Sequence, residues 1–250
     1  MAEVQTSASR WLQRWDAQQQ MHIPEREDRF NAITAALAAY AGERPKVLDL
    51  GCGPGSLSMR VLQRLPGAQI VAIDTDPVLL AIGRRALAEE RVHFVDADLR
   101  GDWTASLPLS PPFDAAVSTT ALHWLQLAEL LPFYRRLAGV LRPGAVLLDG
   151  DRFDFGHDQS AIGRTARAAQ PSWPPVPPGA EDWDAWWAAV ETDPEFRGEV
   201  ELRRARHHEH PHDHEAHTYE FHRATLLAAG FTEVGTIWQR LVDRVLIAIR

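Results

Sequence analysis

At 250 residues, 45% of them hydrophobic and 24% charged, the chain can bury a large core and has the balance of a soluble globular protein. Its net charge of −8 argues against a polyanionic partner such as DNA or RNA, because neutralising phosphates takes a basic surface. A lone cysteine (Cys52), no apolar run near the roughly 18 residues of a membrane span and no secretory h-region leave a cytoplasmic monomer or homodimer with a small-molecule substrate as the expectation.

The first 42 residues are predicted to be helical, as an N-terminal lid. Trp11, Leu12 and Trp15 share one face. Pro24 opens a second segment with Glu25 and Glu27 in its first turn, and Phe30, Ile33, Leu37 and Tyr40 carry it on to Gly42. From Lys46 the period changes. KVLDL (46–50), QIVAIDTD (69–76), RVHFVDAD (91–98), FDAAVST (113–119) and AVLLDGD (145–151) are short apolar runs with the form of buried strands. Between them lie the helical patterns SLSMRVLQRL, PVLLAIGRRALAEE and LAELLPFYRRLAGVL, the last in spite of Pro132. Strands alternating with helices imply a parallel sheet covered on both faces.

Residues 151–217 break this rhythm as a Pro-, Trp- and His-rich insertion. PSWPPVPPG (171–179) holds five prolines in nine residues and reads as an extended linker or lid element. EDWDAWWAAVETD reads as a helix with Trp183, Trp186, Trp187 and Val190 on one side. The pattern resumes with the helix TYEFHRATLLAAG, stopped at Gly230. FTEVGTIWQR and LVDRVLIAIR then form two strands, an antiparallel hairpin that closes the sheet. Residues 43–150 and 218–250 thus make one α/β core around the insertion.

The most informative stretch is VLDLGCGPGSLS (47–58). A strand ends at Asp49-Leu50, and Gly51, Gly53 and Gly55 follow before a helix begins. Glycines here let the backbone turn sharply and let a ligand approach, and the helix start presents free N–H groups. A dinucleotide loop would read GxGxxG, with room for a pyrophosphate. Here the spacing is GxGxG with Asp49 just ahead, an acid that repels a pyrophosphate and attracts a cation. Asp74 ends the second strand where a carboxylate can accept from ribose hydroxyls, and Asp98 ends the third where it can accept from an exocyclic amine. Three acids at three successive strand ends are stronger evidence than any one of them.

With these residues in place, the sequence resembles the class I S-adenosylmethionine-dependent methyltransferases over about residues 46–150 and the terminal hairpin. The resemblance implies an α/β, Rossmann-like, seven-stranded and mostly parallel sheet with helices on both faces and a helical lid insertion. It implies S-adenosyl-L-methionine as cofactor, with the Asp49–Gly55 loop, Cys52 included, holding the methionine part. Asp74 with Thr75 would meet the ribose, Asp98 with the Leu99 backbone the adenine, and Ser118 would contact the cofactor from the fourth strand. Cys52 is read as a small, packed residue rather than a nucleophile.

The segment FDAAVSTTALHWL (113–125) lacks the Asp/Asn-Pro-Pro-aromatic motif of amide and adenine methylators. ALHWL instead resembles small-molecule methyltransferases of the trans-aconitate and juvenile-hormone-acid kind. That resemblance puts His123 and Trp124 at the junction of cofactor and acceptor, with methyl transfer to oxygen, on a carboxylate or hydroxyl. A small amine as acceptor, or a cofactor sensor without turnover, are the alternatives. His123 could be a general base, a donor orienting a carboxylate, or a packed imidazole. Gln18, His22 and Arg26 recur at helical spacing and give one polar face that points either at substrate or at solvent. Trp186 and its neighbours wall a pocket or form the insertion's own core.

HHEHPHDHEAH (207–217) carries six of the eleven histidines. HEHPH satisfies HExxH, but Pro211 falls inside the helical turn that motif needs, so no metal ligand is assigned. A solvated loop is the leading reading, ahead of lid or substrate contacts and of an assisting metal site.

Overall fold

The computed structural model describes residues 6–23, 25–169, 180–206 and 217–250. Pro24, the proline-rich stretch 171–179 and the histidine run up to residue 216 lie outside the described residues. Two helices, α1 (Ser7–His22) and α2 (Arg26–Tyr40), precede the sheet. The α/β alternation then runs β1 (Lys46–Leu50), α3 (Ser56–Arg64), β2 (Gln69–Asp74), α4 (Pro77–Ala86), β3 (Val92–Asp96), β4 (Phe113–Thr119), α5 (Leu127–Val140) and β5 (Leu141–Arg152). The insertion contributes α6 (Ser160–Ala169), α7 (Trp183–Val190) and α8 (Arg197–Arg206), and α9 (Tyr219–Ala228), β6 (Glu233–Arg240) and β7 (Asp243–Ile249) follow. Among the described residues no helix is long and apolar enough to cross a membrane.

The seven strands form one sheet in the order β3-β2-β1-β4-β5-β7-β6. The first five are parallel, and β7 runs antiparallel between β5 and β6. Strand order therefore reverses between β1 and β4, and ligands of such sheets bind in the crevice outside the strand carboxyl ends at that point. Alternation along the strands feeds two cores. Leu48, Leu50, Leu147 and Leu246 pack on one face with Tyr134 of α5 and Leu226 of α9. Val47, Val146, Leu148 and Val245 pack on the other with Phe30 and Ile33 of α2 and Leu57 and Val61 of α3. A third cluster joins Trp11, Leu12 and Trp15 of α1 to Val78 and Ile82 of α4 and to Trp186, Trp187 and Val190 of α7.

Local chemistry sets the ends of these elements. Asp76 caps α4 by accepting from the Val78 and Leu79 amides, with Pro77 in the first turn. Gln126 and Glu129 form a capping box that starts α5, which runs through Pro132. Three expectations change. The N-terminal polar face does not lie on one helix, because α1 stops at His22 and α2 starts at Arg26, with Glu25 at φ +51° between them. β3 ends at Asp96, so Asp98 lies beyond the strand. β5 begins at Leu141, four residues earlier than the apolar run suggested, because Phe113 of β4 already pairs there.

Candidate active site

The turn after β1 is built on three positive φ angles, +70° at Gly51, +52° at Gly53 and +87° at Gly55. The Gly51 and Cys52 amides donate to the Ile73 carbonyl at 2.8 and 3.0 Å, fastening the turn to β2. The Gly53 amide donates to Asp74 Oδ2 at 2.8 Å, while Asp74 Oδ1 accepts from the Thr75 and Asp76 amides at 2.7 and 2.9 Å. Gly51 also permits a close approach, since a Cβ there would stand 2.3 Å from the Cβ of Ala121, in the turn after β4. Behind the loop Asp49 is buried and accepts from Ser58 Oγ at 2.6 Å, and burial pushes its carboxyl up to about 7. Burial also raises the Cys52 thiol, which stays protonated and packs in the core as a small side chain.

Helix α1 crosses this loop. Trp15 would stand 3.9 Å from a Cβ on Gly53, and Asp16 accepts from Ser56 Oγ at the start of α3 and from Arg60, both at 2.6 Å. Arg26 is buried with its guanidinium 3.0 Å from Asp16, so its charge is spent inside the protein. Gln18 is buried on the face of α1 that carries Trp11 and Trp15, and neither atom of its amide finds a partner among the described residues. A buried amide without a partner is costly unless something bonds to it.

A second polar group stands at the carboxyl ends of β4 and β5. Ser118 Oγ donates to the Leu50 carbonyl at 2.9 Å and so ties β4 to β1. His123 Nδ1 lies 3.0 Å from both carboxylate oxygens of buried Asp151. Burial works against the imidazolium, but the charge and hydrogen bond of Asp151 raise His123 above its ordinary value. Burial likewise works against the Asp151 carboxylate, and His123 outweighs it and holds it low. Asp149, two residues earlier on the same strand face, is fully buried with both oxygens unpartnered among the described residues, and burial raises it well above the carboxylate range. Among the described residues no three His, Cys, Asp or Glu side chains converge to hold a metal ion.

Strand order, glycine turn and paired acids agree with the sequence comparison, in which residues 47–144 match the family described as "Methyltransferase domain". Residues 47–144 are similar to a methyltransferase domain. Over 134 residues the chain is 39% identical to the trans-aconitate 2-methyltransferase of Methylobacterium nodulans, covering 53% of this chain and 48% of that one. Over 80 residues it is 42% identical to the enzyme of that name from Mycobacterium tuberculosis, covering 32% and 27%. The alignment thus spans about half the length of these relatives or less. Two solved structures share the fold. One is a magnesium protoporphyrin IX methyltransferase from Synechocystis with bound SAH, at TM-score 0.52 and 16% identity over 97% of this chain and 95% of that one. The other is human N-acetylserotonin methyltransferase with SAM, at TM-score 0.56 and 16% identity over 89% and 51%.

Within residues 47–144, Asp49, Gly51, Cys52, Gly53, Gly55, Asp74, Ser118 and His123 gather around the reversal between β1 and β4. Thr75 is exposed just past β2, and Asp98 is exposed with its carboxylate on Arg100. Leu99 packs partly into the core. Trp124 is 58% exposed, with its ring tilted against that of His123. His22 is half-buried at the end of α1. Trp186 is fully buried, edge-on to Trp11, Trp15 and Trp187, so it serves the core between α1 and α7 rather than an open pocket.

Three residues of interest were not assigned from sequence. Gln18 was visible only as part of a polar helical face. Asp151 was visible as half of LLDGD, where alternation puts Asp149 and Asp151 on one side, but its partner lies in the turn after β4. Arg206 of α8 had no sequence signal, yet it pairs with Asp96 at 2.8 Å and donates to the Thr75 carbonyl at 3.1 Å beside the β2 end. His217, the last member of the histidine run, is buried and bonded to His222, unlike a solvated loop residue.

Proposed function

We propose that the chain is an S-adenosylmethionine-dependent O-methyltransferase acting on a small carboxylic acid. The observation that carries this reading is the turn of positive-φ glycines held between Asp49 and Asp74, with the His123 turn pressed against it at Ala121. The donor set fits the cofactor. Buried Asp49 suits the cationic methionine end, Asp74 the ribose hydroxyls, and Asp98 with the Leu99 backbone the adenine edge. The buried Gln18 amide, on the helix that covers the loop, supplies a polar contact for the amino-acid portion. The bound cofactor supplies an electrophilic methyl group, and its transfer to a carboxylate oxygen releases no proton, whereas a hydroxyl must lose one.

The chain's own residues then bind, align and exclude water. Trp15 and the α1 segment cover the glycine turn, and His123 stands at the rim where the acceptor enters. The name of the relatives, trans-aconitate 2-methyltransferase, supports a carboxylate acceptor of that kind. We further read residues 1–42 as a lid, 151–217 as the acceptor-side insertion, and the protein as a cytoplasmic monomer or homodimer without a nucleic-acid partner.

Methyl-labelled S-adenosylmethionine offered with trans-aconitate, a phenol and an amine tests this. Label should appear in a base-labile ester, and Asp74→Ala should abolish cofactor binding by calorimetry. Label on the amine would favour the N-methyltransferase alternative. Binding without turnover on any acceptor would favour a sensor, and no binding at all would overturn the assignment.

A further inference from the structure

His123 is held in two ways by one carboxylate. Asp151 Oδ2 accepts from the His123 backbone amide at 3.4 Å, and both Asp151 oxygens lie 3.0 Å from its Nδ1. The Arg152 amide donates to Asp151 Oδ1 at 2.8 Å, so the carboxylate is itself fixed by the end of β5. Its side chain is only 4% exposed, whereas that of His123 is 37% exposed. The ring therefore turns Nδ1 inward and Nε2 outward, and Nε2 finds no hydrogen-bond partner among the described residues. Ala121, two residues earlier in the same turn, abuts Gly51 of the cofactor loop, so whatever fixes this turn also fixes the ring relative to that loop.

We propose that Asp151 is a positioning residue for the methyl transfer: it accepts from His123 Nδ1–H and aims Nε2 at the acceptor, where the Nε2–H of the imidazolium can hold the acceptor oxygen that is not being methylated. The role rests on the methyltransferase reading above. A histidine's working nitrogen is set by the bond its other nitrogen makes, and a buried acceptor on Nδ1 leaves Nε2 as the one that meets substrate. No proton changes hands in this arrangement with a carboxylate acceptor, since the acceptor's electron pair forms the new C–O bond while the C–S pair stays on sulfur. His123 is a donor that orients, and Asp151 keeps it charged and pointed. The groups facing this pair are Asp149 on the same strand, Arg29 from α2, and Tyr134 and His222 from α5 and α9, whose fields reach the two carboxyls.

The test uses the full chain and two readouts. In the first, ¹⁵N-labelled imidazole resonances are followed against pH in wild type and in Asp151→Asn, which keeps the size of the side chain and removes its charge. His123 should be Nδ1-protonated and titrate above an ordinary histidine in wild type, and should fall back in the variant. In the second, turnover with trans-aconitate should fall about tenfold or more in Asp151→Asn, the worth of a hydrogen bond to a charged group. Cofactor affinity by calorimetry should stay the same. His123→Asn should lose as much, and the double variant no more than His123→Asn alone.

Equal further loss in the His123→Asn background would assign Asp151 a purely structural role and overturn the proposal. So would an unchanged His123 titration in Asp151→Asn. Failure of wild type to turn over trans-aconitate or other carboxylates bears on the proposed function instead, because the resonance readout decides the Asp151–His123 relation without turnover.

Discussion

Tyr134 Oη and His222 Nδ1 stand 2.7 Å apart in the core between α5 and α9, and His222 Nε2 lies 2.9 Å from His217 Nδ1. All three side chains are buried, and the chain of bonds runs from the sheet face out to the point where the insertion returns. There the His217 carbonyl accepts from the Asp154 amide at 2.8 Å, and Asp154 bridges to Thr218. The end of the histidine run is thus fastened to α9 and α5 through the rings of His222 and Tyr134.

Replacing His222 should therefore loosen the whole return. His222→Leu strips the Tyr134 hydroxyl of its bond and removes a partner of His217, at a cost of about 2–4 kcal/mol. Burial, with His217 adding to it, holds His222 down at about 3. A histidine depressed in the folded state contributes stability that is present above its unfolded value near 6.5 and lost as pH falls toward 3. Urea unfolding at pH 7.5 and pH 5 should show the wild type losing more stability on acidification than His222→Leu. An equal loss in both would show that another group carries the acid sensitivity.

Gly51→Ala should damage both fold and cofactor binding. The backbone sits at φ +70°, and the new methyl would meet Ala121 Cβ at 2.3 Å. Backbone strain and overpacking together cost about 2–4 kcal/mol. Thermal unfolding and cofactor calorimetry read the two effects. Gly51→Ala combined with Ala121→Gly should recover the part due to the clash and leave the part due to φ.

The parallel core was legible because Val47, Leu48, Ile70, Val71, Val146 and Leu147 belong to short apolar runs whose period is local. The cofactor turn was legible for the same reason, since Asp49 to Gly55 is contiguous. Pro24 signalled a second helix, but the polar spacing of Gln18, His22 and Arg26 runs on across the boundary and suggested one shared face that α1 and α2 do not make. The pairing of His123 with Asp151 joins the turn after β4 to β5, and no periodicity reports a bond between a turn and a distant strand. Trp186 showed the same limit. Its stripe fits a core or a pocket equally, and only the arrival of Trp11 and Trp15 from α1 made it a core residue.

Cofactor affinity should depend on pH through Asp49. Its carboxyl is raised by burial to about 7, lowered somewhat by the Ser58 bonds, and raised again by Asp74 nearby. Below that value the acid is largely neutral and offers little to a cation, and above it the carboxylate attracts one. Affinity for S-adenosylmethionine should tighten by up to about tenfold between pH 6 and pH 8. Asp49→Asn should flatten the dependence. Calorimetry across that range checks both, and a dependence that survives in Asp49→Asn would move the effect to another group.

The buried acid at Asp149 should make the wild type weaker at high pH than its neutral counterpart. Both oxygens are shut away from solvent without a partner among the described residues, and Asp151 two residues on adds its own charge. The folded state therefore favours the protonated carboxyl, while the unfolded chain ionises it near pH 4. For a group raised on folding, stability is fully present below the unfolded value and drains away as pH rises toward the folded one. Asp149→Asn carries no such proton and escapes the loss. Its advantage over wild type should be near zero around pH 4 and grow by up to about 1.4 kcal/mol per pH unit above that, until the folded group ionises. Urea unfolding of the two proteins at pH 5, 6.5 and 8 measures the gap. A constant difference would mean that Asp149 stays ionised in the folded protein and that a buried cation or solvent answers its charge.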